Sequence, residues 1–284
     1  MEIHLLGCNL NVLRGSNVSE VDFMSPLRSF AVALALFGIF TSLSASCAAQ
    51  TPQTNRTPVL VELFTSEGCS TCPPADALLA KLDHYQPVNG TEIIVLGEHV
   101  DYWDNLGWHD RFSSHQYTER QNEYCGRLHV DSSYTPQMIV DGTDQFVGND
   151  VDHAVRAIQH AAQAPKIKLI LSQPVVDAQK VSASISSPAP ITTKKGDLYA
   201  ALVDPTDVTE VRSGENGGRR LQHVGVVRSL QRVGSLKELG AAGPVSFSLN
   251  APGDAKPGQM RVVVFAQQSG QGAVLGAASA GVTP

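Results

Sequence analysis

The apolar residues of the chain follow two patterns, short continuous runs and longer stretches spaced along one face of a helix. Val59 to Phe64 is nearly all apolar, which is typical of a strand buried on both faces. Pro73 to His84 carries its apolar residues at helical spacing and predicts an amphipathic helix. The same criteria predict further strands at 93–96, 138–140 and 145–147, a helix within 110–128, and another from 151 with Asn149 or Asp150 as its N-cap. This order predicts a mixed α/β fold.

After Pro165 the pattern changes to short alternating or apolar runs separated by Pro, Gly, Asn and Asp clusters. Such runs predict strands of a small antiparallel β-sandwich. The runs are KIKLIL, KVSASIS, DLYAALV, VSFSLN and MRVVVFAQ. We therefore place a domain boundary near Ala164 and Pro165. The predicted parts are a polar linker at 50–58, an α/β domain at 59–164 and a β-rich domain at 165–284.

Residues 1–49 have the pattern of a targeting segment. From Met24, Arg28 supplies a positive charge, Phe30 to Phe40 is apolar, and small residues follow to Ala49. This is the layout of a secretory signal, and its apolar run is short for a membrane span. We interpret residues 1–23 as a non-native extension from a start site placed too early. The protein is therefore expected in the periplasm or outside the cell, with no integral membrane segment after signal removal.

The composition is that of an ordinary globular protein. Of 284 residues, 42% are hydrophobic and 17% are charged, which is no signature of disorder. The formal net charge of −6 argues against a broad surface for nucleic acid or anionic membranes.

Export changes the interpretation of the cysteines, because paired thiols persist as disulfides in oxidising compartments. Cys8 and Cys47 lie in the targeting region, where lipid attachment at Cys47 ranks below simple export. Cys69, Cys72 and Cys125 remain. We expect Cys125 to be a small buried hydrophobic residue, with an extra redox thiol or an intermolecular link as alternatives.

Cys69 and Cys72 stand between the first predicted strand and the first predicted helix. If the helix begins at about Ser70, Cys69 lies at its N-terminus, where free N–H groups and the helix dipole favour a thiolate over a thiol. Pro73 and Pro74 are tolerated there because a first turn does not use their N–H groups. The spacing allows the sulfurs to form a disulfide, and we expect the Cys69 sulfur to lie nearer solvent. Cys69 would then attack a substrate and Cys72 would resolve the mixed disulfide.

Two further positions complete this candidate site. Glu62 is a carboxyl within an otherwise apolar strand, where burial favours its protonated form, so it is a candidate to take a proton from Cys72. An edge strand that lets Glu62 reach solvent is an equal alternative. Thr135 and Pro136 directly precede a predicted strand, and a cis bond between them would place backbone beside the disulfide, where it can shape a groove for an extended substrate.

A strand, a C-x-x-C at a helix start and a later Pro before a hairpin together resemble the thioredoxin superfamily. That resemblance implies that Glu62 corresponds to the buried acid before the active site. Four longer segments also resemble the bacterial secreted family called domain of unknown function 1223. They are VELFTSEGCSTCPPAD, GEHVDYWDNLGWHDRF, YTPQMIVDG and GENGGRRLQHVGVVR. This second resemblance implies a thioredoxin-like domain followed by a β-rich one, and it implies no activity.

The segment GEHVDYWDNLGWHDRFSSH is rich in metal-ligating residue types: Glu98, His99, Asp101, Asp104, His109 and His115. With the cysteines these residues could bind Cu(I) or Zn(II). Their spacing is not that of a helical metal site, so we favour a packed rim around the active site with no metal. Tyr102, Trp103, His99 and Thr135 are then candidates for rim or partner contacts, because aromatic residues often anchor interfaces.

A Gly-rich segment, RSGENGGRRLQHVGVVR, spans Arg212 to Arg228. It lacks the ending of a phosphate-binding loop. A solvated hairpin is the simplest interpretation, and a loop that docks a partner is the alternative.

The favoured hypothesis is a thiol–disulfide oxidoreductase that acts on protein or small thiols without a cofactor. Ser70 and Thr71 between the cysteines do not indicate the direction of electron flow. The alternatives are a non-catalytic binding module in which the disulfide is a structural staple, and a copper or zinc carrier.

Overall fold

Two β-sheets and four helices make up residues 56–193 and 195–283, which are the part of the chain that the computed structural model describes. The helices are α1 (Pro73–Tyr85), α2 (His115–Leu128), α3 (Val151–Ala161) and α4 (Leu236–Ala242). The strands are β1 (Thr57–Thr65), β2 (Thr91–His99), β3 (Gln137–Val140), β4 (Asp144–Val147), β5 (Ile170–Leu171), β6 (Val175–Asp177), β7 (Lys180–Ser186), β8 (Asp197–Glu210), β9 (Arg220–Ser235), β10 (Val245–Asn250), β11 (Arg261–Gln267) and β12 (Val274–Gly281). The predicted mixed α/β class is confirmed.

The larger sheet has eight strands in the order β12-β11-β8-β9-β2-β1-β3-β4. β1 is central, parallel to β2 and antiparallel to β3, which explains why its sequence is apolar on both faces. β2 in turn runs parallel to β9, with Gly97 opposite Val226. This pairing continues the sheet across the boundary predicted near Ala164 and Pro165, a continuity that no sequence pattern indicated.

The two faces of the larger sheet are covered differently. On one face, Val61 and Leu63 of β1 pack with apolar residues of α1 and α3. On the other, Phe64 of β1 packs with Tyr124 of α2. The smaller sheet has four strands, with β7 flanked by β10, β5 and β6, and it packs against β8 and β11. It lies on the face opposite α2, since neighbouring residues of β8 and β11 pack with α2 from the other side.

The longest strand, β9, was not predicted, and neither were β6, β12 and α4. β9 contains Arg220, His223, Gly225 and Arg228 in place of a regular alternation, so its sequence lacks the usual strand signal. It forms a long hairpin with β8. The tip of that hairpin is the Gly-rich segment predicted as a hairpin, and β9 carries it to the end of the sheet where β1 leads into α1.

The predicted extension and signal, including Cys8 and Cys47, lie outside the described residues, as does most of the predicted linker. No helix in the described part of the chain is long and apolar enough to cross a bilayer.

Candidate functional site

Cys69 and Cys72 form a disulfide at the end of the sheet where β1 leads into α1. A tight turn connects the two elements, with the Cys69 N–H donating to the Ser66 carbonyl and the Cys72 N–H to the Cys69 carbonyl. Cys72 is the N-cap residue of α1, whose first turn begins with Pro73. Its carbonyl accepts from the N–H groups of Ala75 and Asp76. The C-x-x-C therefore directly precedes a helix, as predicted, but the helix begins at Pro73 and not at about Ser70, so Cys72 and not Cys69 lies at its N-terminus.

Both cysteines are completely buried, with 0% of their surface exposed. The prediction that the Cys69 sulfur lies nearer solvent is therefore wrong. Ser70 and Thr71 between them are exposed, so the turn itself reaches the surface. The Thr71 hydroxyl lies 3.3 Å from the Cys69 sulfur, and two segments from elsewhere in the fold contact the turn.

The first covering segment is the predicted rim that follows β2. Trp103 packs on Gly68, where a Cβ would lie 3.1 Å from the Trp103 Cβ atom. Its indole N–H donates to the Thr135 hydroxyl over 2.8 Å. The bond from Thr135 to Pro136 is cis, as predicted. A Cβ at Gly148 would lie within 3.2 Å of both Ala75 and Pro136, so Pro136 lies beside the first turn of α1.

The second covering segment is the tip of the β8–β9 hairpin, residues 211–219, which we call the tip loop. Its Asn216 is buried, and the side-chain amide donates to the carbonyls of Glu67 and Cys69, each over 2.9 Å. The Glu215 carboxylate accepts from the Ser70 N–H over 3.1 Å. The predicted solvated hairpin thus contacts the backbone on both sides of Cys69.

A cluster of buried ionisable side chains lies beneath this turn: Glu67, Asp76, His99, Asp110 and His223. The His223 ring lies between two carboxylates, with Nδ1 3.5 Å from Asp76 and Nε2 3.7 Å from Glu67. Trp108 of the rim donates to the second oxygen of Glu67 over 2.7 Å. The His99 and His223 rings meet edge to face, with centroids 4.8 Å apart.

His99 and Asp110 form an ion pair within this cluster, with Nδ1 2.6 Å from the carboxylate. Burial alone lowers the pKa of His99, but the Asp110 carboxylate outweighs it, so the pKa is raised. Burial alone raises the pKa of Asp110, but His99 and two backbone N–H groups outweigh it and lower that pKa to about 2. Asp110 is therefore an anion at neutral pH, and His99 is biased toward the cation.

Several atoms of the cluster have no hydrogen-bond partner among the described residues: Glu67 Oε1, His99 Nε2 and both ring nitrogens of His223. Buried polar groups without partners are uncommon and are expected to have a reason. Here His223 lies between Asp76, which is in the first turn of α1, and Glu67, which is two residues before Cys69. The cluster therefore places imidazole and carboxylate groups inside the protein beside the first turn of α1.

Glu62 does not belong to this site. It is buried, which excludes the alternative of an edge strand, but its side chain lies on the sheet face that α2 covers. The carboxylate accepts from Arg120 Nε over 2.8 Å and from the Tyr124 hydroxyl over 2.6 Å. Because α1 and its Cys72 pack on the opposite face, the structure does not bring Glu62 to the thiol pair.

The other candidate ligands are also dispersed. His99 pairs with Asp110, His109 with Asp104, and His115 with Asp101. Within residues 56–193 and 195–283, no group of three or more His, Cys, Asp or Glu side chains is arranged to hold a metal ion. His99 is 1% exposed, so it is not a surface contact as predicted, whereas Tyr102 remains exposed.

Cys125 is a free thiol on α2 and is buried, as predicted. Its sulfur lies 3.5 Å from the Ser133 hydroxyl and 3.7 Å from the Gln137 amide.

Sequence reasoning missed Asn216, His223, Glu67, Asp76 and Asp110. Glu67 and Asp76 stand within the quoted cysteine motif, Asp110 within the rim segment, and Asn216 and His223 within the Gly-rich motif. The signal was therefore three long motifs whose polar residues lacked an assigned role.

Solved structures of two proteins are similar to this chain. The crystal structure of a protein from Agrobacterium tumefaciens is 28% identical, with a TM-score of 0.61 over 81% of this chain and 96% of that one. HBP35 of Porphyromonas gingivalis is 13% identical, with a TM-score of 0.55 over 81% of this chain and 76% of that one, which is a likeness of fold alone. No curated protein matches the chain at a significant level.

The family model described as protein of unknown function (DUF1223) matches residues 60–267. This range includes the cysteine turn, the rim and the tip loop, so the match covers every segment of the candidate site. The resemblance to the thioredoxin superfamily stays a prediction. The chain belongs to the DUF1223 family.

Proposed function

We propose that this protein is an exported thiol–disulfide oxidoreductase that acts through Cys69 and Cys72. The observation that carries the proposal is the closed pair at the start of α1, above a buried cluster of imidazole and carboxylate groups. The N-terminus of α1, where Cys72 is the N-cap residue, favours a thiolate at Cys72 and so makes Cys72 a good leaving group. A purely structural disulfide has no need of ionisable groups buried beside it.

Exchange proceeds through a mixed disulfide. In the oxidised protein, a substrate thiolate attacks the Cys69 sulfur and displaces Cys72 as a thiolate, which takes up a proton. A second substrate thiolate attacks the bound substrate sulfur, releases the oxidised substrate and leaves Cys69 reduced. In reverse, the Cys69 thiolate attacks a substrate disulfide and releases one thiol. Cys72 then attacks the Cys69 sulfur, releases the second thiol and closes the protein disulfide.

Protons must reach sulfurs that are closed off from solvent. The buried cluster supplies groups for this transfer, since Asp76 lies one turn from Cys72 and contacts His223. In this mechanism the buried cluster has the proton-transfer role that the sequence suggested for Glu62. Pro136, beside the first turn of α1, shapes the substrate groove, as the sequence also suggested.

The proposal includes a thioredoxin-like arrangement of β1, α1, β2, α2, the β3–β4 hairpin and α3. Its support is the path from a central strand through C-x-x-C into a helix, with a cis Pro136 before the strand antiparallel to β1. The β-rich remainder is sandwich-like, because the smaller sheet packs on β8 and β11.

Export is supported by the signal pattern from Met24 and by the disulfide, since such bonds persist mainly in oxidising compartments. The proposed partners are thiol- or disulfide-bearing proteins or small thiols, and the negative net charge argues against nucleic acid.

We expect the Cys69–Cys72 pair to be reversibly reducible at a potential between about −270 and −120 mV, the range of known oxidoreductases. The measurement equilibrates the purified protein in graded glutathione buffers and counts free thiols by mass after alkylation. Because this is an equilibrium measurement, slow access to the buried sulfurs does not bias it. A disulfide that stays closed below about −300 mV contradicts the proposal and indicates a structural bond.

Replacing Cys72 with Ser is expected to trap the mixed disulfide, because Cys69 can still attack while no resolving thiol remains. The Cys72→Ser protein should accumulate a covalent adduct with oxidised glutathione, seen in its intact mass. Cys69→Ser is the matched control, since it removes the attacking thiol and leaves Cys125 in place. Equal adducts on both variants would assign the reaction to Cys125, to the Cys72 thiol that Cys69→Ser leaves free, or to nonspecific exchange, and would exclude the proposed roles.

One observation favours a second candidate, a binding module with the disulfide as a staple. Both sulfurs are fully buried, whereas exchange requires contact with the attacking thiolate. The measured potential separates the two candidates.

A further inference from the structure

One residue of the tip loop is placed unlike its neighbours. Residues 212–215 and 217–220 are exposed, whereas Asn216 is 0% exposed. Its amide nitrogen donates to the carbonyls of Glu67 and Cys69, and its Oδ1 accepts from Arg219 over 2.9 Å. A loop that was only a connection would keep this polar side chain in water, because burying an amide is unfavourable unless it is fully hydrogen-bonded.

The tip loop is a formed structure and not a loose segment. Val211 and Arg219 pair through their backbones, as do Val211 and Gly218, and the Gly217 N–H donates to the Gly214 carbonyl. Gly214 and Gly218 have positive φ values of 72° and 81°, which favour glycine. The backbone of the loop is therefore held in shape by its own hydrogen bonds.

The loop is held by packing of Gly214 on Gly107 and Trp108 of the rim and by four polar contacts. Asn216 supplies two of them and Glu215 a third, to the Ser70 N–H. Ser213 donates to the Gly107 carbonyl in the rim over 2.6 Å. Hydrogen bonds of this kind contribute little net free energy each, so they can be exchanged for equivalent bonds from another molecule.

Neither Cys69 nor Cys72 has exposed surface, and the tip loop is hydrogen-bonded to the backbone of the turn that carries them. We propose that Asn216 is a specificity-determining residue. It holds the tip loop closed over the Cys69–Cys72 pair, so that a partner must displace it before exchange. This inference rests on the proposed exchange function and adds to it a selection among thiol partners.

The chemistry of the displaced contacts indicates which partners are selected. When Asn216 and Glu215 leave, the Glu67 carbonyl loses the Asn216 donor, the Cys69 carbonyl keeps only the Cys72 N–H, and the Ser70 N–H loses the Glu215 acceptor. A polypeptide offers backbone N–H and C=O groups that can replace them, whereas a single small thiol cannot. The preferred partner is therefore a cysteine within an extended polypeptide segment. Exposed Tyr102 and Leu106 in the rim provide apolar surface for its side chains.

The first experiment measures how fast excess dithiothreitol reduces the disulfide in the purified full chain. Asn216→Ala removes both donated hydrogen bonds, and Asn216→Asp places an acceptor against two carbonyls. We expect both variants to react about tenfold faster or more than the wild type. Asn250→Ala, an exposed Asn at the end of β10, is the matched control and should react at the wild-type rate.

The rate of global unfolding is measured in parallel, so that faster reduction is not confused with a less stable fold. Glu215→Ala, a surface change, serves if the Asn216 variants fail to fold, and it should give a smaller acceleration in the same direction. Wild-type reduction rates in these variants, with the fold intact, would overturn the inference.

The second experiment tests selectivity. Two reductants of matched thiol chemistry are compared: N-acetylcysteine amide and a short synthetic peptide with one cysteine. In the wild type the peptide should react faster, and in Asn216→Ala the ratio of the two rates should fall toward one. An unchanged ratio would show that Asn216 does not select partners.

The two proposals fail in different ways. If the reduction potential lies within the oxidoreductase range and the rate of disulfide reduction does not change in the Asn216 variants, the exchange function is supported and the role of Asn216 is rejected. If the reduction potential lies below that range and Asn216→Ala is reduced faster than the wild type, Asn216 does hold the loop closed, but over a structural disulfide, and the exchange function is rejected.

Discussion

Replacing Arg120 with Met is expected to lower the free energy of unfolding by about 3–5 kcal/mol, the usual effect of removing one partner of a buried ion pair. Arg120 is 4% exposed and donates to the Glu62 carboxylate through Nε and Nη2, over 2.8 and 2.5 Å. It also donates to Gln271 and to the Tyr124 hydroxyl. Methionine fills much of the volume but leaves the Glu62 carboxylate buried without its cation.

Thermal and denaturant unfolding measure this loss, which should shift the melting temperature on the order of 10 °C. Arg232→Ala is the matched control, because Arg232 makes an exposed ion pair with Asp197 and such pairs contribute about 1 kcal/mol or less. Similar losses in the two variants would contradict the assignment of Arg120 as the centre of a buried network.

Glu98 provides a contrast within the same network. Its carboxylate lies 3.5 Å from Arg120 Nε, and its two oxygens have no hydrogen-bond partner among the described residues. Burial raises the pKa of Glu98 well above its ordinary value, and the nearby Glu62 raises it further. The folded protein then keeps a proton that the unfolded chain loses, so stability falls as the pH rises from the ordinary pKa of a Glu toward the raised value.

Glu98→Gln removes this fall in stability at rising pH, because an amide cannot ionise. We therefore expect this variant to match the wild type in acid and to exceed its stability at neutral and higher pH. A variant as unstable as Arg120→Met at neutral pH would show that the Glu98 charge is required by Arg120.

Local elements of the first half were predictable because their signals are local. The apolar run at 59–64, the helical spacing after Pro73 and the N-cap at Asp150 each lie within a few residues, and Asp150 indeed accepts from the His153 N–H. Strand alternation also places Glu62 with Leu60 and Phe64 on one face. Which face α1 covers depends on tertiary packing, and this is why the role assigned to Glu62 failed.

The candidate site also contains some features that local sequence predicts and others that depend on tertiary packing. The disulfide and the cis bond at Pro136 follow from residues adjacent in sequence. Asn216 and His223 reach the turn only because β9 pairs with β2. That pairing joins Gly97 to Val226, two residues that are distant in the sequence. A polar residue in a Gly-rich segment has no sequence feature that separates a solvated position from a buried one.

Replacing Gly225 with Ala is expected to destabilise the protein by about 3 kcal/mol or more, because Gly225 lies at the junction where β9 pairs with β2. Gly225 has φ of 61°, a conformation that costs a residue with a Cβ roughly 1–2 kcal/mol. A Cβ there would also lie 2.8 Å from the Val95 carbonyl oxygen and 2.9 Å from Val95 Cγ2. Neither the β2 backbone nor a fully buried Val95 can move away easily.

Gly270→Ala separates these two contributions, since Gly270 has φ of 73° but a Cβ added there would meet no atom within 4 Å among the described residues. The free energy of unfolding of Gly270→Ala should fall only by the cost of placing a residue with a Cβ at a positive φ. Denaturant unfolding measures both variants, and equal losses would show that close approach to Val95 is not limiting. Because β9 also carries the tip loop, Gly225→Ala should speed reduction of the disulfide while Gly270→Ala should not. That difference would tie the β2–β9 junction directly to the closure of the Cys69–Cys72 site.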